Sequence, residues 1–250
     1  MLATIVRRLL QTIVVMLVMS ALVFAGIYMV GDPVSMLASP EATEAQRAAI
    51  SASLGLDQPL WRQYLIFMGQ AVRGDFGNSF LTGEPAMHLI LERMPATVEL
   101  ACVAMLLSVL IGVPLGILAG MKPKAAGSRA IMTGSVLGFS LPNFWVGLML
   151  IMVFAVILGW VPAGGRGQTV SIGSLQLSVL TPSGWLSLAL PAATIAFAKC
   201  AMIIRVTRAA TREALPMDYI KFARAKGLSE KRVLGVHLLK NILIPVVTVA

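Results

Sequence analysis

The chain has 250 residues, of which 58% are hydrophobic and only 12% are charged, and its net charge is +9. A soluble domain of this length would carry roughly twice that share of charged residues, so the composition predicts an integral membrane protein. No basic stripe with interleaved aromatic residues lies outside the hydrophobic segments, so we expect no nucleic-acid partner.

No residue pattern typical of catalysis or metal binding occurs in the sequence. His88 and His237 lie far apart and have no companions at ligand spacing. Cys102 and Cys200 lie in apolar segments and form no CxxC pattern. A GxxxxGK[ST] phosphate-binding loop is also missing. We therefore expect no catalytic residue, no metal and no cofactor in this chain, and any uphill transport would be driven by a partner or by an ion gradient.

The first apolar run, Leu9–Val30, is long enough to cross a bilayer core of about 30 Å. A cleaved signal peptide is the alternative, because Arg7 and Arg8 precede the run. The apolar core of a signal peptide is only about 7–15 residues long, however, and ends at a small-residue cleavage site. We therefore interpret the run as a retained membrane helix.

Residues 31–95 are polar and rich in helix-terminating signals, which predicts a small helical cap. Ser39, followed by a proline and a glutamate, is expected to cap a first helix that stops near Gly55. Asp57 is expected to cap a second short helix, and Pro85–Arg93 to form a third.

Three further apolar runs predict membrane spans at about 100–120, 130–158 and 185–204. In the first of them, Gly112, Gly116 and Gly120 share one face, on which another helix can approach closely. The second is long for a straight span, so we expect a tilt or a kink at Pro142. A last apolar run begins at 241 and stops at 250, too short to cross a bilayer, and we expect this span to continue beyond the chain.

The distribution of basic residues predicts the orientation of the chain in the membrane. Fifteen of the 20 Lys and Arg residues lie near the N-terminus, in the loop 121–129 or between Lys199 and Lys240. Because cytoplasmic loops carry the excess of Lys and Arg, we place these segments in the cytoplasm. The segments 31–95 and 159–184 would then face outward.

Three residues within the predicted spans are candidates for a transport pathway or gate. Pro142 and Asn143 lie at the expected kink, and Lys199 lies six residues before Arg205. Lys199 either extends to the headgroups at the cytoplasmic side or faces a water-filled path, where it would attract anionic substrate groups.

A basic segment, DYIKFARAKGLSEKR at 218–232, interrupts the hydrophobic sequence. Pro216 suits the first turn of a helix, and Asp218 in that turn complements the positive end of the helix dipole. Gly227 suits the position that ends a helix. The pattern predicts a short helix over Pro216–Lys226.

One side of this short helix is expected to carry Tyr219, Phe222 and Ala223, while its lysines and arginine occupy the rest of the surface. Ser229 is expected to cap a following helix that runs towards Lys240. The segment is either a charged loop that fixes topology and touches lipid phosphates, or a helix that inserts in a groove of a cytoplasmic partner.

The sequence resembles the dipeptide/oligopeptide/nickel family of ABC importer permeases along its whole length. The motifs that carry the resemblance are, in chain order, LGLDQPL (54–60), RGDFGNS (73–79), PATVELA (95–101), IGVPLGI (111–117), SLPNFWVG (140–147), GWVPAGG (159–165), Leu190-Pro191 and ARAKGLSEKRVLGVHLLKNILIPVVT (223–248). The ordered set is specific, whereas ARAKG alone would be weak.

The resemblance implies an all-α integral membrane protein, the type I ABC importer transmembrane subunit, with six helices in the family and this chain ending early in the fifth. Residues 1–30 would be the cytoplasmic tip and first span, 31–95 an extracytoplasmic helical cap, and 96–250 the ABC transmembrane type I domain with a coupling loop at 205–240. The protein would be a multi-pass protein of the bacterial cytoplasmic (inner) membrane, with its N-terminus in the cytoplasm.

The resemblance also implies the partners: a homologous second permease subunit, two cytoplasmic ATPase subunits that bind ATP and Mg, an extracytoplasmic substrate-binding protein, and membrane lipid. The ATPase-coupling residues that match the family pattern are Asp218, Tyr219, Ala223, Ala225, Gly227 and Leu228. The general importer motif begins Glu-Ala-Ala, whereas this chain has Lys221-Phe222-Ala223.

The function implied is a permease subunit of an ATP-driven, binding-protein-dependent importer that works by alternating access. An ion-coupled secondary transporter without an ATPase partner is the alternative, and a structural membrane scaffold is a third class. Relatives with similar motifs carry di- and oligopeptides, nickel chelates, glutathione or opines, so the motifs leave the substrate open. The loop at 163–183 is expected to reach towards the binding protein.

Overall fold

The structure is a computed structural model that describes residues 2–30, 34, 42–53, 55–79, 82–173 and 175–249. The chain divides into two compact units, Met1–Glu92 and Arg93–Ala250. Helices make up most of both units, as the hydrophobic composition predicts.

The described residues of the first unit include the helices α1, Leu2–Val30; α2, Glu44–Ser53; and α3, Leu60–Val72. The apolar run predicted as the first span lies within α1, whose side chains are exposed along most of its length. Helix α3 packs against α1 through Tyr64, whose hydroxyl lies 2.8 Å from Ser20 Oγ. The Tyr64 ring also meets Phe24 edge-on, with 5.5 Å between ring centroids.

Helix α2 is capped by a different residue from the one predicted. The N–H of Thr43 donates to Gln46 Oε1 at 2.9 Å, and the N–H of Gln46 donates to Thr43 Oγ1 at 3.4 Å. This reciprocal pair is a capping box, and it starts the helix at Glu44. Ser39, the predicted cap, lies outside the described residues. The predicted stop is confirmed, because the helix ends just before Gly55, which has φ +68°.

Helix α3 begins after Pro59, and the prediction that Asp57 caps it is wrong. Pro59 stands at the N-cap position, where no side chain bonds the free N–H groups. The start of the helix is held instead by Gln63, whose Nε2 donates to the carbonyls of Leu56 at 3.1 Å and Gln58 at 2.7 Å. These bonds fold the preceding turn onto the first turn of the helix.

Helix α4 runs from Ala86 to Met121 without a break, so the short helix predicted over Pro85–Arg93 and the span predicted at 100–120 are parts of one helix. Pro95 and Pro114 both lie inside it. Each proline removes one backbone donor, but a long helix absorbs that loss by a local bend. At 1.5 Å per residue the 36 residues extend about 54 Å, well beyond a bilayer core of about 30 Å.

The kink predicted at Pro142 is confirmed as a sharp break. Helix α5, Ala126–Ser140, and helix α6, Asn143–Ile157, are bent by 103° at this point. Leu141 and Pro142 have extended backbone between the two helices. The second half of α6, Ile151–Ile157, is π-helical.

The rest of the second unit comprises the following elements: β1, Val170–Ile172; β2, Leu175–Leu177; α7, Pro182–Ala214; α8, Asp218–Ala225; and α9, Glu230–Val249. The two strands form an antiparallel hairpin that the sequence did not predict. Helix α7 continues ten residues past the predicted end at 204. The helix predicted after Ser229 and the apolar run that begins at 241 are parts of one helix, α9. A π-helical segment, Val233–Leu238, lies inside α9.

Within the described residues, four helices are long and apolar enough to cross a membrane: α1, α4, α7 and α9. The bent pair α5–α6 makes a fifth if it is one broken span.

Three buried glycines of α4 face α7 at successive turns: Gly112, Gly116 and Gly120. Their nearest side chains on α7 are, respectively, Ile203, Thr207 and Thr211. A Cβ placed on Gly116 would lie 2.5 Å from Thr207 Cβ and 2.9 Å from the carbonyl oxygen of Ile204, closer than atoms can pack. These three glycines, here called the glycine seam, confirm the prediction that another helix approaches this face of α4 closely. Along this contact the residue numbers increase in the same direction on α4 and on α7, so the two helices run parallel to each other.

Candidate coupling site and membrane pathway

Helix α8 is fixed to the body of the second unit by two buried side chains, Ile220 and Ala223, which are 0% and 4% exposed. They belong to an apolar cluster whose other buried members come from α7 and α9: Ala214, Val233, Leu238 and Ile242. Ile117 of α4 packs against the same cluster. The short helix therefore shares one apolar cluster with side chains of three long helices.

Gly227 ends α8, as the sequence predicts, with φ +75°. Its N–H donates to the Arg224 carbonyl at 2.9 Å, and the N–H of Leu228 donates to the Ala223 carbonyl at 3.3 Å. This pair of bonds is the Schellman arrangement, which favours glycine at the left-handed position. The helix itself is shorter than predicted, because its first residue is Asp218 and its last is Ala225.

An ion pair connects α8 to the start of α9. The Arg224 guanidinium donates from Nε to Glu230 Oε1 at 2.8 Å and from Nη2 to Oε2 at 3.1 Å. The hydrogen bond with Glu230 raises the pKa of Arg224 above its ordinary value. Ser229 occupies the N-cap position of α9, as predicted, but its side chain makes no capping bond there. The ion pair and the Schellman turn together hold α8 and α9 at a fixed angle.

The exposed side of α8 carries two aromatic side chains, Tyr219 and Phe222, which are 38% and 62% exposed. Lys226 Nζ lies 4.5 Å from the centroid of the Phe222 ring. Lys221 Nζ lies 3.0 Å from Asp218 Oδ1. The surface is thus an aromatic patch bordered by cations, the composition expected of a docking face.

One residue of the predicted face points the other way. Ala223 is buried with Ile220, because residues three apart share a side of a helix and this side packs on the apolar cluster. The prediction that Ala223 lies beside Tyr219 and Phe222 on one free side is therefore wrong. Sequence reasoning also missed Ile220, although its spacing to Ala223 was the available signal. Among the other predicted coupling residues, Asp218, Ala225 and Gly227 are exposed and Leu228 is half-buried.

Two of the predicted pathway residues lie at the break between α5 and α6, and the third lies on α7. Pro142 and Asn143 are exposed at the break itself. Lys199 is exposed near the middle of α7, and no hydrogen bond or ion pair joins it to any described residue. Helices α5 and α7 pack closely at Gly138, because a Cβ atom added to this glycine would lie 3.4 Å from the ring of Phe197. The last turn of α5 is therefore level with the turn of α7 that precedes Lys199.

A second polar site, the Glu99 cluster, lies in the N-terminal half of α4. The Glu99 carboxylate is buried and accepts from the N–H of Ser178 at 2.7 Å, from Ser178 Oγ, and from the N–H of Val179 at 3.4 Å. Arg166 Nη2 lies 3.5 Å from Glu99 Oε2 and also donates to the carbonyl of Gln176. One carboxylate thus holds both sides of the β1–β2 hairpin.

The loop that contains the hairpin is also closed against the start of α7. The N–H of Gly184 donates to Thr181 Oγ1 at 3.0 Å, which caps the helix. Thr181 Oγ1 donates to the Gln168 carbonyl at 2.7 Å, and the N–H of Gln168 donates to Ser183 Oγ at 3.1 Å. The segment predicted as an irregular loop is therefore an ordered structure.

Replacing Glu99 by alanine is expected to loosen this loop. The change leaves the Ser178 and Val179 donors without an acceptor and Arg166 without its counter-charge, which costs about 1–3 kcal/mol per lost partner. Amide hydrogen exchange of residues 166–181 in the purified protein should accelerate by at least tenfold. Glu213→Ala, which alters an exposed acid, is the control and should leave this exchange unchanged. Equal protection in both variants would show that Glu99 does not hold the loop.

These observations define the class of protein: a helical protein with several apolar helices long enough to cross a membrane, a broken span and a short, packed helix between two long ones. Two family models match the sequence. The model described as "Binding-protein-dependent transport system inner membrane component" matches residues 112–250, and its N-terminal counterpart, "Binding-prot-dependent transport system membrane comp, N-term", matches residues 1–101. The chain belongs to this family of ABC importer permeases, whose fold is the type I transmembrane fold.

Several curated relatives match the whole chain. It is 38% identical over 251 residues to the oligopeptide transport system permease protein AppB of Bacillus subtilis (strain 168), covering 100% of this chain and 78% of the relative. It is 39% identical over 263 residues to the di/tripeptide transport system permease protein DppB of Pseudomonas aeruginosa (strain UCBPP-PA14), with the same coverage. The glutathione transport system permease protein GsiC of Escherichia coli O1:K1 / APEC is 37% identical over 249 residues, 99% of this chain and 76% of that protein.

Proposed function

We propose that this chain is the permease subunit of an ATP-driven, binding-protein-dependent importer that moves peptides or a related small solute by alternating access. The observation that carries the proposal is the geometry of α8, a helix with an exposed aromatic face whose buried side joins an apolar cluster shared with three long helices. The printed names of the relatives, which are peptide and glutathione permeases, support the solute class.

In this proposal α8 is the coupling helix. Tyr219 and Phe222 enter a groove on a cytoplasmic ATPase subunit, while Ile220 and Ala223 transmit its movement to the apolar cluster. The Arg224–Glu230 ion pair makes α9 follow α8. ATP-driven closure of two ATPase subunits then rotates the packed helices as rigid bodies between inward-open and outward-open states.

The proposed assembly contains this chain, a homologous second permease subunit, two ATPase subunits that bind ATP and Mg, and an extracytoplasmic binding protein. The protein lies in the bacterial inner membrane with a cytoplasmic N-terminus, because the basic segments cluster on the side that carries α8. Residues 1–30 form the tip and first span, 31–95 an extracytoplasmic cap, and 96–250 the transport domain. The ordered loop at 163–183 faces the binding protein.

An ion-coupled secondary transporter is the alternative function. Such carriers place ionisable groups, often acids, near the middle of the membrane. In this sequence no Asp or Glu occurs between Glu99 and Glu213. The missing acids favour an energy source outside the chain.

Recovery of an ATPase with the permease tests the proposal. A tagged permease is purified from gently solubilised membranes of its own organism, and the proteins that remain bound are identified by mass spectrometry. We expect an ABC-type ATPase subunit and a second permease in amounts close to that of the tagged chain. Recovery of the permease alone, with transport that follows an ion gradient, would favour the alternative.

A further inference from the structure

The β1–β2 hairpin has one apolar face and one polar face. Two cross-strand pairs make up the apolar face: Val170 with Leu177, and Ile172 with Leu175. The pair between them, Ser171 and Gln176, occupies the opposite face, because successive side chains of a strand alternate between its two faces. Val170, Ile172 and Leu175 are between 42% and 56% exposed, so the rest of the described chain leaves most of the apolar face uncovered.

The Glu99 cluster fixes the level of the hairpin relative to α4. Ser178, which follows β2, is buried, and its N–H donates to the Glu99 carboxylate at 2.7 Å. Glu99 lies 22 residues before Met121, where α4 ends at the basic loop 121–129. At 1.5 Å per residue the separation is roughly 33 Å along the helix, and any tilt or bend makes it shorter across the membrane. With the basic loop at the cytoplasmic surface of a bilayer core of about 30 Å, the base of the hairpin lies at the outer boundary of that core.

Two exposed tryptophans mark the same boundary on the helices that flank the hairpin in the chain. Trp160 follows α6, and its ring lies against Phe154 of that helix, with 5.7 Å between the ring centroids. Trp185 is in the first turn of α7. Tryptophan is enriched at membrane–water interfaces, because its ring is largely apolar and carries one polar N–H group. Both connections to the hairpin therefore start from the interface.

We propose that the apolar face of the hairpin binds the outer lipid surface, with its side chains inserted at the boundary between headgroups and acyl chains. This inference rests on the proposed orientation of the chain in the membrane. The face carries no charged side chain, and its insertion removes apolar area from water, as the apolar face of an interfacial helix does. The contact stabilises a two-stranded hairpin, which is only marginally stable alone. Ser171 and Gln176 stay on the water side, where the binding protein approaches.

The test places a small fluorophore on either face of the hairpin. Cys102 and Cys200 are the only cysteines of the chain, and both are first replaced by alanine. Ile172→Cys puts a thiol on the apolar face, and Gln176→Cys on the polar face of the same hairpin is the matched control. Val170→Cys is a second probe of the apolar face, in case one label disturbs the turn. Each labelled chain is assembled into the complete transporter in phosphatidylcholine vesicles, with and without a nitroxide on the upper acyl chain of the lipid.

We expect the nitroxide to remove roughly half or more of the fluorescence at positions 172 and 170, because an interfacial apolar face lies about 5–10 Å deep in the headgroup boundary. The label at position 176 should keep nearly all of its fluorescence. Equal quenching on the two faces, or none on either, would overturn the proposal. Quenching at 172 that occurs in the permease alone but not in the complete transporter would assign the face to a partner subunit, and loss of quenching on addition of the loaded binding protein would assign it to that protein. The measurement requires no transport, so failure of the proposed ATP-driven function would appear separately.

Discussion

Replacing Gly116 by leucine is expected to abolish most of the folded protein. A first side-chain atom at this position would lie 2.5 Å from Thr207 Cβ and 2.9 Å from the Ile204 carbonyl oxygen. The backbone oxygen cannot turn aside as a flexible side chain does, so α4 and α7 would have to separate along the glycine seam. Overpacking against backbone costs about 3 kcal/mol, a large part of the stability of a domain. The yield of monodisperse protein in mild detergent should fall more than tenfold.

Gly134→Leu is the matched control for the glycine seam. Gly134 also lies in an apolar helix, but no atom lies within 4 Å of the Cβ position. This variant should give native yield and a native thermal unfolding temperature. If Gly116→Leu were as well folded as Gly134→Leu, α4 and α7 would not be in the close contact described.

Replacing Tyr219 and Phe222 together by aspartate is expected to separate the permease from its ATPase while leaving the membrane domain folded. Neither side chain is buried, so the change removes little internal packing. Aromatic anchors at the centre of an interface commonly contribute about 2 kcal/mol or more each, and two acids would also be desolvated on docking. The affinity for the ATPase should fall by at least a hundredfold, as measured by co-purification and by ATP hydrolysis stimulated by the loaded binding protein.

The control for this prediction is Phe76→Asp, which places the same charge on an exposed aromatic residue of the first unit. We expect normal recovery of the ATPase with this variant. Ile220→Ala provides a second comparison, because it removes a fully buried side chain and should cost about 2–5 kcal/mol of stability. Loss of the ATPase after Ile220→Ala but not after the double aspartate change would place the docking surface elsewhere.

Local signals in the sequence predicted the parts of the fold that depend on local backbone geometry. Gly227 ends α8 because glycine tolerates the left-handed conformation that the Schellman turn requires. Pro142 breaks the third apolar run because proline lacks the backbone donor of a continuous helix. The spacing of Gly112, Gly116 and Gly120 predicted a close helix contact, although it did not identify α7 as the partner.

Other features depend on residues distant in the sequence and could not be predicted locally. Ser178 lies 79 residues from Glu99, so nothing near Glu99 indicates that its carboxylate is buried and satisfied. The sequence predicted two separate elements on either side of Pro95, but α4 continues through this proline, because a long helix absorbs one missing hydrogen bond by a local bend. Ala223 was assigned to the free side of α8 because a two-turn helix offers too few residues to show which side meets the core.

The candidate site likewise contains residues that the sequence identified and residues that only the structure identifies. The family resemblance placed the coupling segment and the residues around Pro142, and the structure adds how each is held. Ile220, which no motif distinguishes, anchors α8, while the guanidinium of Arg205 turns back over the ring of Phe139 on α5. Both depend on contacts between helices that the sequence does not specify by spacing alone.

The central claim is that ATP hydrolysis on a partner drives transport through contacts made by α8. The most direct test measures peptide accumulation by the complete transporter in proteoliposomes, with ATP or a non-hydrolysable analogue inside and the loaded binding protein outside. We predict accumulation that requires hydrolysable ATP, persists when ionophores collapse all ion gradients, and disappears in the Tyr219→Asp, Phe222→Asp variant. Accumulation that needs an ion gradient and proceeds without ATP, or that survives the double substitution, would contradict this account.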